Sequence, residues 1–452
     1  MRSFLPIAKN RQIFEDLVTR TLDYARSLGA SDAAAEASEA QGLAVSVRRG
    51  KVETVEQTRD RSLDITVFAG QRRGSASTSD FSDNALRQTV EAAWHIARYT
   101  AEDPAAGLPD ADLLAIGARN TLQLHHPWAV TVEQATEIAL EAEHAALATD
   151  KRITNTEGAS IDTHEGHFIL GNTRGFLDGY AFSRHGLSVA PIAGRGQSMQ
   201  HDYWSTSDRS AKRLAEPAAV GRYAAERALS RLSARRIPTG HFPVLFEAPL
   251  ALGLIGALTQ AINGGALYRK TSFLLDSLGK EIFPSHIELT EDPHIKGAMG
   301  SSPFDEEGVR TQARDVVRSG VLQGYFLSSY TARKLGMTTT GNAGGSHNLV
   351  MRSTQTRRQD NLDAMLRKMG TGLLVTELIG HGVNYVTGDY SRGAFGYWVQ
   401  NGKIQHAVEE ITIAGNLKEM FAQIVAIGAD TITRGSKTTG SILIERMSIA
   451  GT

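Results

Sequence analysis

The chain has 452 residues, 41% of them hydrophobic, no cysteine and a formal net charge of -1. Its length exceeds one ordinary core and predicts two or three domains. Without cysteine there is no disulfide, and zinc could be held only by His and carboxylates. The near-neutral charge gives no global pull toward nucleic acid or anionic lipid, so direct nucleic-acid binding is not expected.

The first twenty residues hold no sustained apolar run, and no later stretch approaches the roughly twenty apolar residues of a membrane span. A cytoplasmic, reducing location is the expectation, with Met1 to Ala8 a loose lead-in. From Asn10 to Leu28, Ile13, Phe14, Leu17, Val18, Leu22 and Ala25 form one helical stripe, and Gly29 stands where a C-cap glycine belongs. Leu43, Val45 and Val47 alternate as in a strand, Arg49-Gly50-Lys51 can turn, and Val52 to Thr58 can return antiparallel. Leu63 to Val67 and Ser75 to Thr78 read as further strands, and Ser82 or Asp83 opens a helix bearing Leu86, Val90, Trp94 and Ala97. Thr100 to Val130 is loop-rich, with Pro104, Gly107, Pro109 and Pro127.

Thr131 with Gln134 spells a capping box, and its helix runs through Leu147. A glycine-punctuated β-rich stretch, Ile153 to Ser205, precedes a helix after Pro217. This repeats the order helix, sheet, helix and suggests a duplication, without a residue-by-residue alignment. Ser233 to Gly240 is a turn-forming connector. The predicted regions are therefore 1–120, 121–237 and 238–452.

The last region opens with a strand, Phe242 to Phe246, and a helix from Pro249 whose Leu252, Leu254, Ile255, Leu258 and Ile262 keep helical spacing until Asn263-Gly264-Gly265 stops it. A hairpin at Val316 to Leu322, helices at Ser329 to Leu335 and Leu362 to Met369, and a strand at Leu373 to Leu378 follow. Ala394 to Val399 and Lys403 to Val408 form a hairpin around Asn401-Gly402, a pair suited to a type I′ turn. A helix from Leu417 to Ile427 and strands near Thr431 and Ile442 close the chain.

Four runs carry a family resemblance: Tyr268 to Lys280 (YRKTSFLLDSLGK), Ser302-Pro303-Phe304-Asp305, Thr387 to Ala394 (TGDYSRGA) and Glu410 to Leu417 (EITIAGNL). In this order and spacing they resemble the TldD/PmbA family, also labelled modulators of DNA gyrase and TldD/TldE metalloproteases, and the likeness is closer to the PmbA (TldE) branch. The resemblance implies an α+β fold with two smaller N-terminal regions and a larger sheet-rich C-terminal domain carrying a peptide cleft. In the TldD branch the helix before Arg269-Lys270 carries HExxxH, completed by a late cysteine. The equivalent run here is Gly256-Ala257-Leu258-Thr259-Gln260-Ala261, and Gly256, Ala257 and Ala261 offer no donor to zinc and no base for a bound water. The family implies a TldD-like partner that holds zinc, a homodimer when alone, and peptide substrates. The expected chain is a subunit without its own catalysis; the alternatives are a peptide-binding regulatory homodimer, or a non-metal hydrolase using Asp305, Glu306, His347 or His381.

Other constellations carry two readings each. His164-Glu165-Gly166-His167 has HExH spacing, and on a strand residues three apart face opposite ways, which favours surface histidines over a metal site. Asp305-Glu306-Glu307 could split acid and base roles, but a solvated turn is the simpler account. Gly341 to Asn348 lacks the lysine of a phosphate loop; as a cleft loop its Gly344 and Gly345 would let another backbone approach, with His347 a cleft group or a structural histidine. Asp389, Arg392 and Gly393 form a candidate peptide-contact loop, or Asp389 and Arg392 an internal ion pair. Arg269 and Lys270 either face a partner or close a helix end.

Overall fold

A computed structural model describes residues 11–117 and 121–451. The lead-in Met1 to Ala8, the first residue of the predicted N-terminal helix and the 120/121 division lie outside the described residues. The first region runs α1 (Arg11–Ser27), β1 (Asp32–Arg48), β2 (Lys51–Ala69), β3 (Arg72–Thr78) and α2 (Asp83–Tyr99). Ser82 caps α2 by accepting the Ala85 N–H. The second runs α3 (Val132–Thr149), β4 (Ile153–Asn172), β5 (Leu177–Asp178), β6 (Ala181–Ala193), β7 (Gln200–His201), β8 (Trp204–Asp208) and α4 (Pro217–Ser230). The Thr131/Gln134 capping box forms as expected.

These two regions share one sheet, in the order β3-β2-β1-β4-β6-β7 with β8 beside β6 and β5 beside β4. The two helix-sheet-helix units meet at β1 and β4, antiparallel from Ala34 opposite Asn172 to Val47 opposite Ala159. Odd-numbered residues of β1 face the helices. Ala33, Ala35 and Ala37 pack with Phe14, Leu17, Leu86 and Val90. Leu43, Val45 and Val47 pack with Ala139, Ala142, Val220 and Ala224. All four helices therefore cover one face, leaving the other to meet the rest of the chain. The alanine-rich start of β1, where no element is predicted, becomes strand because its small side chains let two helices lie close to the sheet, overriding helix propensity. Likewise β2 is one strand of 19 residues where two are predicted.

The C-terminal region runs β9 (Gly240–Phe246), α5 (Ala248–Ala261), α6 (Gly264–Tyr268), β10 (Ile287–Asp292), β11 (Arg314–Arg318), β12 (Val321–Leu322), α7 (Ser329–Leu335), β13 (Asn348–Ser353), α8 (Leu362–Met369) and β14 (Gly372–Ile379). It ends with β15 (Asp389–Gln400), β16 (Lys403–Asn416), α9 (Leu417–Ala422), β17 (Ile424–Ile427), β18 (Ile432–Arg434), β19 (Lys437–Thr439) and β20 (Ile442–Ala450). Two six-stranded sheets result, β12-β11-β10-β13-β19-β18 and β16-β15-β14-β9-β20-β17, the second curling so that β16 also pairs with β20. Leu254, Ile255, Leu258 and Ile262 of the α5 segment share one core with Leu289, Val317 and Leu349 of the first sheet and Val244, Val375 and Ile444 of the second. Asn401 and Gly402 take positive φ, 51° and 72°, as a type I′ turn requires. The last helix is shorter than predicted: it ends at Ala422, and Ile424 and Ile427 instead pair with Ile444 and Ile442. Among the described residues no helix is long and apolar enough to cross a membrane.

Candidate functional site

The uncovered sheet face and the loops of the C-terminal region enclose a cavity of about 440 Å³. Phe168, Tyr180 and Phe182 wall it from the sheet, Ser302, Phe304 and Glu306 from one C-terminal loop, and Gly344, Gly345 and His347 from another. Glu36 of β1 and Arg209, just after β8, complete it. Burial, with like charge from Asp64 and then Glu306, pushes the Glu36 carboxyl up to about 7. Arg209 is 7% exposed and donates to four main-chain carbonyls: Ala298 at 3.0 Å, Leu124 at 3.4 Å, Ser183 at 3.5 Å and Met299 at 2.8 Å.

The glycine-rich loop is held by an ionic core beneath it. Glu291, 1% exposed, accepts Arg314 Nε at 2.7 Å, Asn342 Nδ2 at 2.8 Å and the His347 N–H at 2.7 Å. His347 places Nε2 at 2.9 Å from the Gly341 carbonyl, so Nε2 carries the proton in the neutral ring and Nδ1 is the acceptor. The Asp305 cluster is not the solvated turn expected. Asp305 is 4% exposed, and its oxygens accept N–H groups of Glu307, Val309 and Ala343 at 2.9 to 3.0 Å. Its carboxylate thus ties the 305–309 turn to the glycine loop. Burial and Glu307 push its pKa up to about 7 against those three donors.

The remaining candidates gather elsewhere. Arg269, at the end of α6, stacks over the Tyr268 ring with 5.1 Å to its centroid, and exposed Lys270 takes a φ of 57°. The run after them meets the loop before β15: the Phe273 N–H donates to the Tyr385 carbonyl at 2.8 Å. Asp389 and Arg392 do not pair. They are three apart on β15 and face opposite sides. Asp389 accepts from Thr387 Oγ1 and Asn416 Nδ2, whereas Arg392 donates to the Leu378 carbonyl. Gly393 pairs with Ile379 of β14. His381 is exposed and does not line the cavity.

On α5, a Cβ at Gly256 would meet open space, while Ala257 and Ala261 are 6% and 0% exposed. Gly and Ala present no donor atoms, so these positions do not fit a metal ion. His164 is exposed, as its strand position requires, but His167 on the opposite face is 3% exposed rather than a surface residue. Its ring lies 5.2 Å from that of Phe14. Burial pulls His167 down to about 4, keeping it neutral.

Three family profiles match in chain order: PmbA/TldA metallopeptidase domain 1 over residues 33–97, the central domain over 125–232 and the C-terminal domain over 239–451. The chain belongs to the PmbA/TldD metallopeptidase family. It is 48% identical to Metalloprotease PmbA of Escherichia coli O157:H7, covering 100% of this chain and 99% of that one. It is 46% identical to the Metalloprotease PmbA homolog of Haemophilus influenzae, covering 97% of this chain and 96% of that one. A Bacteroides thetaiotaomicron crystal structure, described as a proposed modulator of DNA gyrase, superposes with TM-score 0.90 at 28% identity over 97% of this chain and 99% of that one. TldE of Thermococcus kodakarensis shares the fold, with TM-score 0.83 at 18% identity over 97% of this chain and 99% of that one. The α+β architecture expected from the sequence is the one observed.

Arg209, Glu36 and Glu291 carry no functional signal in the sequence. They reach the site from three separate stretches, and no local spacing signals their convergence.

Proposed function

We propose that this chain is the PmbA/TldE-type subunit of a two-chain peptidase, a subunit that binds peptide while a TldD-like partner holds zinc and cleaves the amide bond. The observation that carries this reading is α5. The helix keeps its place between the two C-terminal sheets, yet Gly256, Ala257 and Ala261 stand where the family's metal-binding branch has its donors. What the chain retains is recognition surface: a walled cavity, a glycine-rich loop pinned from below, and the Tyr268 to Lys280 segment packed against the loop before β15. The subunit is proposed to work in the cytoplasm and to form homodimers when its partner is missing.

The test is an unfolded-peptide cleavage assay with this chain alone, with a TldD-like chain, and with both, using protein purified without a histidine tag. Cleavage is expected only when the TldD-like chain is present, and is expected to be stronger with both. Chelator-sensitive cleavage by this chain alone would overturn the proposal.

A further inference from the structure

The cavity between the sheet and the C-terminal loops has a polarity that the shared fold does not explain. At one side stands Arg209, a buried guanidinium whose four partners are neutral carbonyls. Four bonds leave one of its five N–H groups. The neighbouring Asp208 acts on Arg209 through space but is itself bonded to Arg213 Nε at 2.7 Å, so the remaining N–H of this buried guanidinium suits a ligand carboxylate. At the other side stand Glu36 and Glu306, which line the same cavity, with Glu306 adding like charge at Glu36. Such a pair is relieved by a ligand ammonium.

The sheet register fixes how these groups are spread. Glu36 lies on β1 opposite Leu170 of β4. Arg209 lies beyond β6, where its carbonyl accepts the Ser183 hydroxyl at 2.7 Å. Ser183, whose carbonyl Arg209 reaches, pairs with Glu165 of β4, so the basic side lies two strand spacings across the sheet, roughly 10 Å, and five residues along it, roughly 16 Å, from Glu36. The Glu36 side chain and a hydrogen bond at each end of a ligand take up roughly half of that diagonal. Between them the wall is aromatic, Phe168, Tyr180 and Phe182, with the rings of Phe168 and Tyr180 4.7 Å apart. Gly344 and Gly345, with φ of 90° and 118°, line the same cavity.

We infer that this cavity binds a short free peptide of about three residues, which spans roughly 10 Å when extended, with its carboxylate at Arg209, its ammonium at Glu36 and Glu306, and an apolar middle residue on the aromatic wall. This extends the peptide-binding part of the function proposed above. It gives this chain a ligand class of its own, recognised by both termini, distinct from a longer chain passing through to be cleaved.

The test is calorimetric titration of the full chain at neutral pH with the tripeptide Ala-Phe-Ala, its C-terminal amide and its N-acetyl form. The free peptide should bind, and blocking either terminus should weaken binding by about tenfold or more, the loss of one charge-assisted contact. Arg209→Gln is the direct variant, but Arg209 also bonds four carbonyls and its loss can unfold the junction, so the ligand series on the unaltered protein carries the decision. Glu306→Gln, which removes an exposed carboxylate, should weaken the free peptide and leave the N-acetyl peptide unchanged. Equal affinity for all three peptides, or no binding of the free one at about 1 mM, overturns the inference. A negative titration leaves the cleavage assay untouched, because that assay reads the partner's activity.

Discussion

Replacing Glu291 with alanine tests whether the glycine-rich loop is held from below by charge. The Glu291 carboxylate is 1% exposed and serves Arg314, Asn342 and the His347 N–H together. Arg314 has a second hold through Asn342 Oδ1 at 3.1 Å and stacks over Phe326 at 5.0 Å, so it would stay in place without its counter-charge. Removing one member of a buried pair costs about 3–5 kcal/mol. The stranded Asn342 and His347 donors act within the same network and are not added separately. For a unit of about 200 residues each kcal/mol moves Tm by about 2–4 °C, so the midpoint should fall by about 6–20 °C. Differential scanning fluorimetry reads the midpoint, and amide exchange at residues 341–348 reads the loop, which should lose protection before the rest of the β10–β13 sheet. A midpoint within about 2 °C of the unaltered protein, with loop protection retained, would refute the argument.

Arg231 is 3% exposed and joins Asp202 at 2.7 Å and Glu377, over the Phe395 ring at 4.4 Å. Asp202 keeps Arg227 at 3.2 Å, so Arg231→Met should cost about 1–3 kcal/mol in denaturant unfolding and speed trypsin cleavage at Arg235 and Arg236; an unchanged cleavage rate would contradict a clamp here. Glu36 has its pKa raised in the folded state to about 7, so the folded state binds the extra proton and stability falls as pH rises from about 4.5 through 7. Glu36→Gln should remove the Glu36 share of that slope, Asp305 keeping its own, so that the variant matches the native chain near pH 4 and exceeds it by about 3 kcal/mol above pH 7; identical slopes in urea titrations would reject this. A Cβ at Gly221 would sit 2.0 Å from the Ala142 carbonyl, so Gly221→Ala should cost about 1–3 kcal/mol by forcing α3 and α4 apart. Gly256→Ala, with open space at its Cβ, should instead gain about 0.5–1 kcal/mol; a rise in the melting temperature of Gly221→Ala, or a fall in that of Gly256→Ala, would count against the respective account.

The elements legible in the sequence are those whose signal is local. The Thr131/Gln134 cap, the Asn401-Gly402 turn and the stripe of α1 each follow from a few neighbouring residues. The joining of the two N-terminal regions into one sheet was not legible, because β1 and β4 pair across more than a hundred residues and neither announces its neighbour. The same limit governs the cavity. Gly344, Gly345 and His347 stood out as a cluster, whereas Arg209 and Glu36 each look like an ordinary surface charge in sequence. The misreading of Asp305 has a related cause. Charged residues after a proline are usually solvated, but this carboxylate is covered by a loop 38 residues further on, whose Ala343 N–H it accepts.

The hydrogen bonding of the cavity also bears on whether it could cleave anything by acid–base chemistry. A general base needs a free lone pair within reach of a nucleophile. Asp305 spends three of its roughly four acceptor sites on N–H groups and holds its turn by them. His347 is fixed at Nε2 by the Gly341 carbonyl, leaving Nδ1 as its one acceptor, and His381 lies outside the cavity. Glu306, the other carboxylate of that turn that lines the cavity, adds like charge at Glu36. These commitments suit a rigid recognition surface more than a proton relay. His347→Ala should therefore lower the melting temperature through loss of the Gly341 bond and leave cleavage by the mixed subunits within about twofold. A fall of about a hundredfold or more, the span of a lost general base, would restore the hydrolase reading.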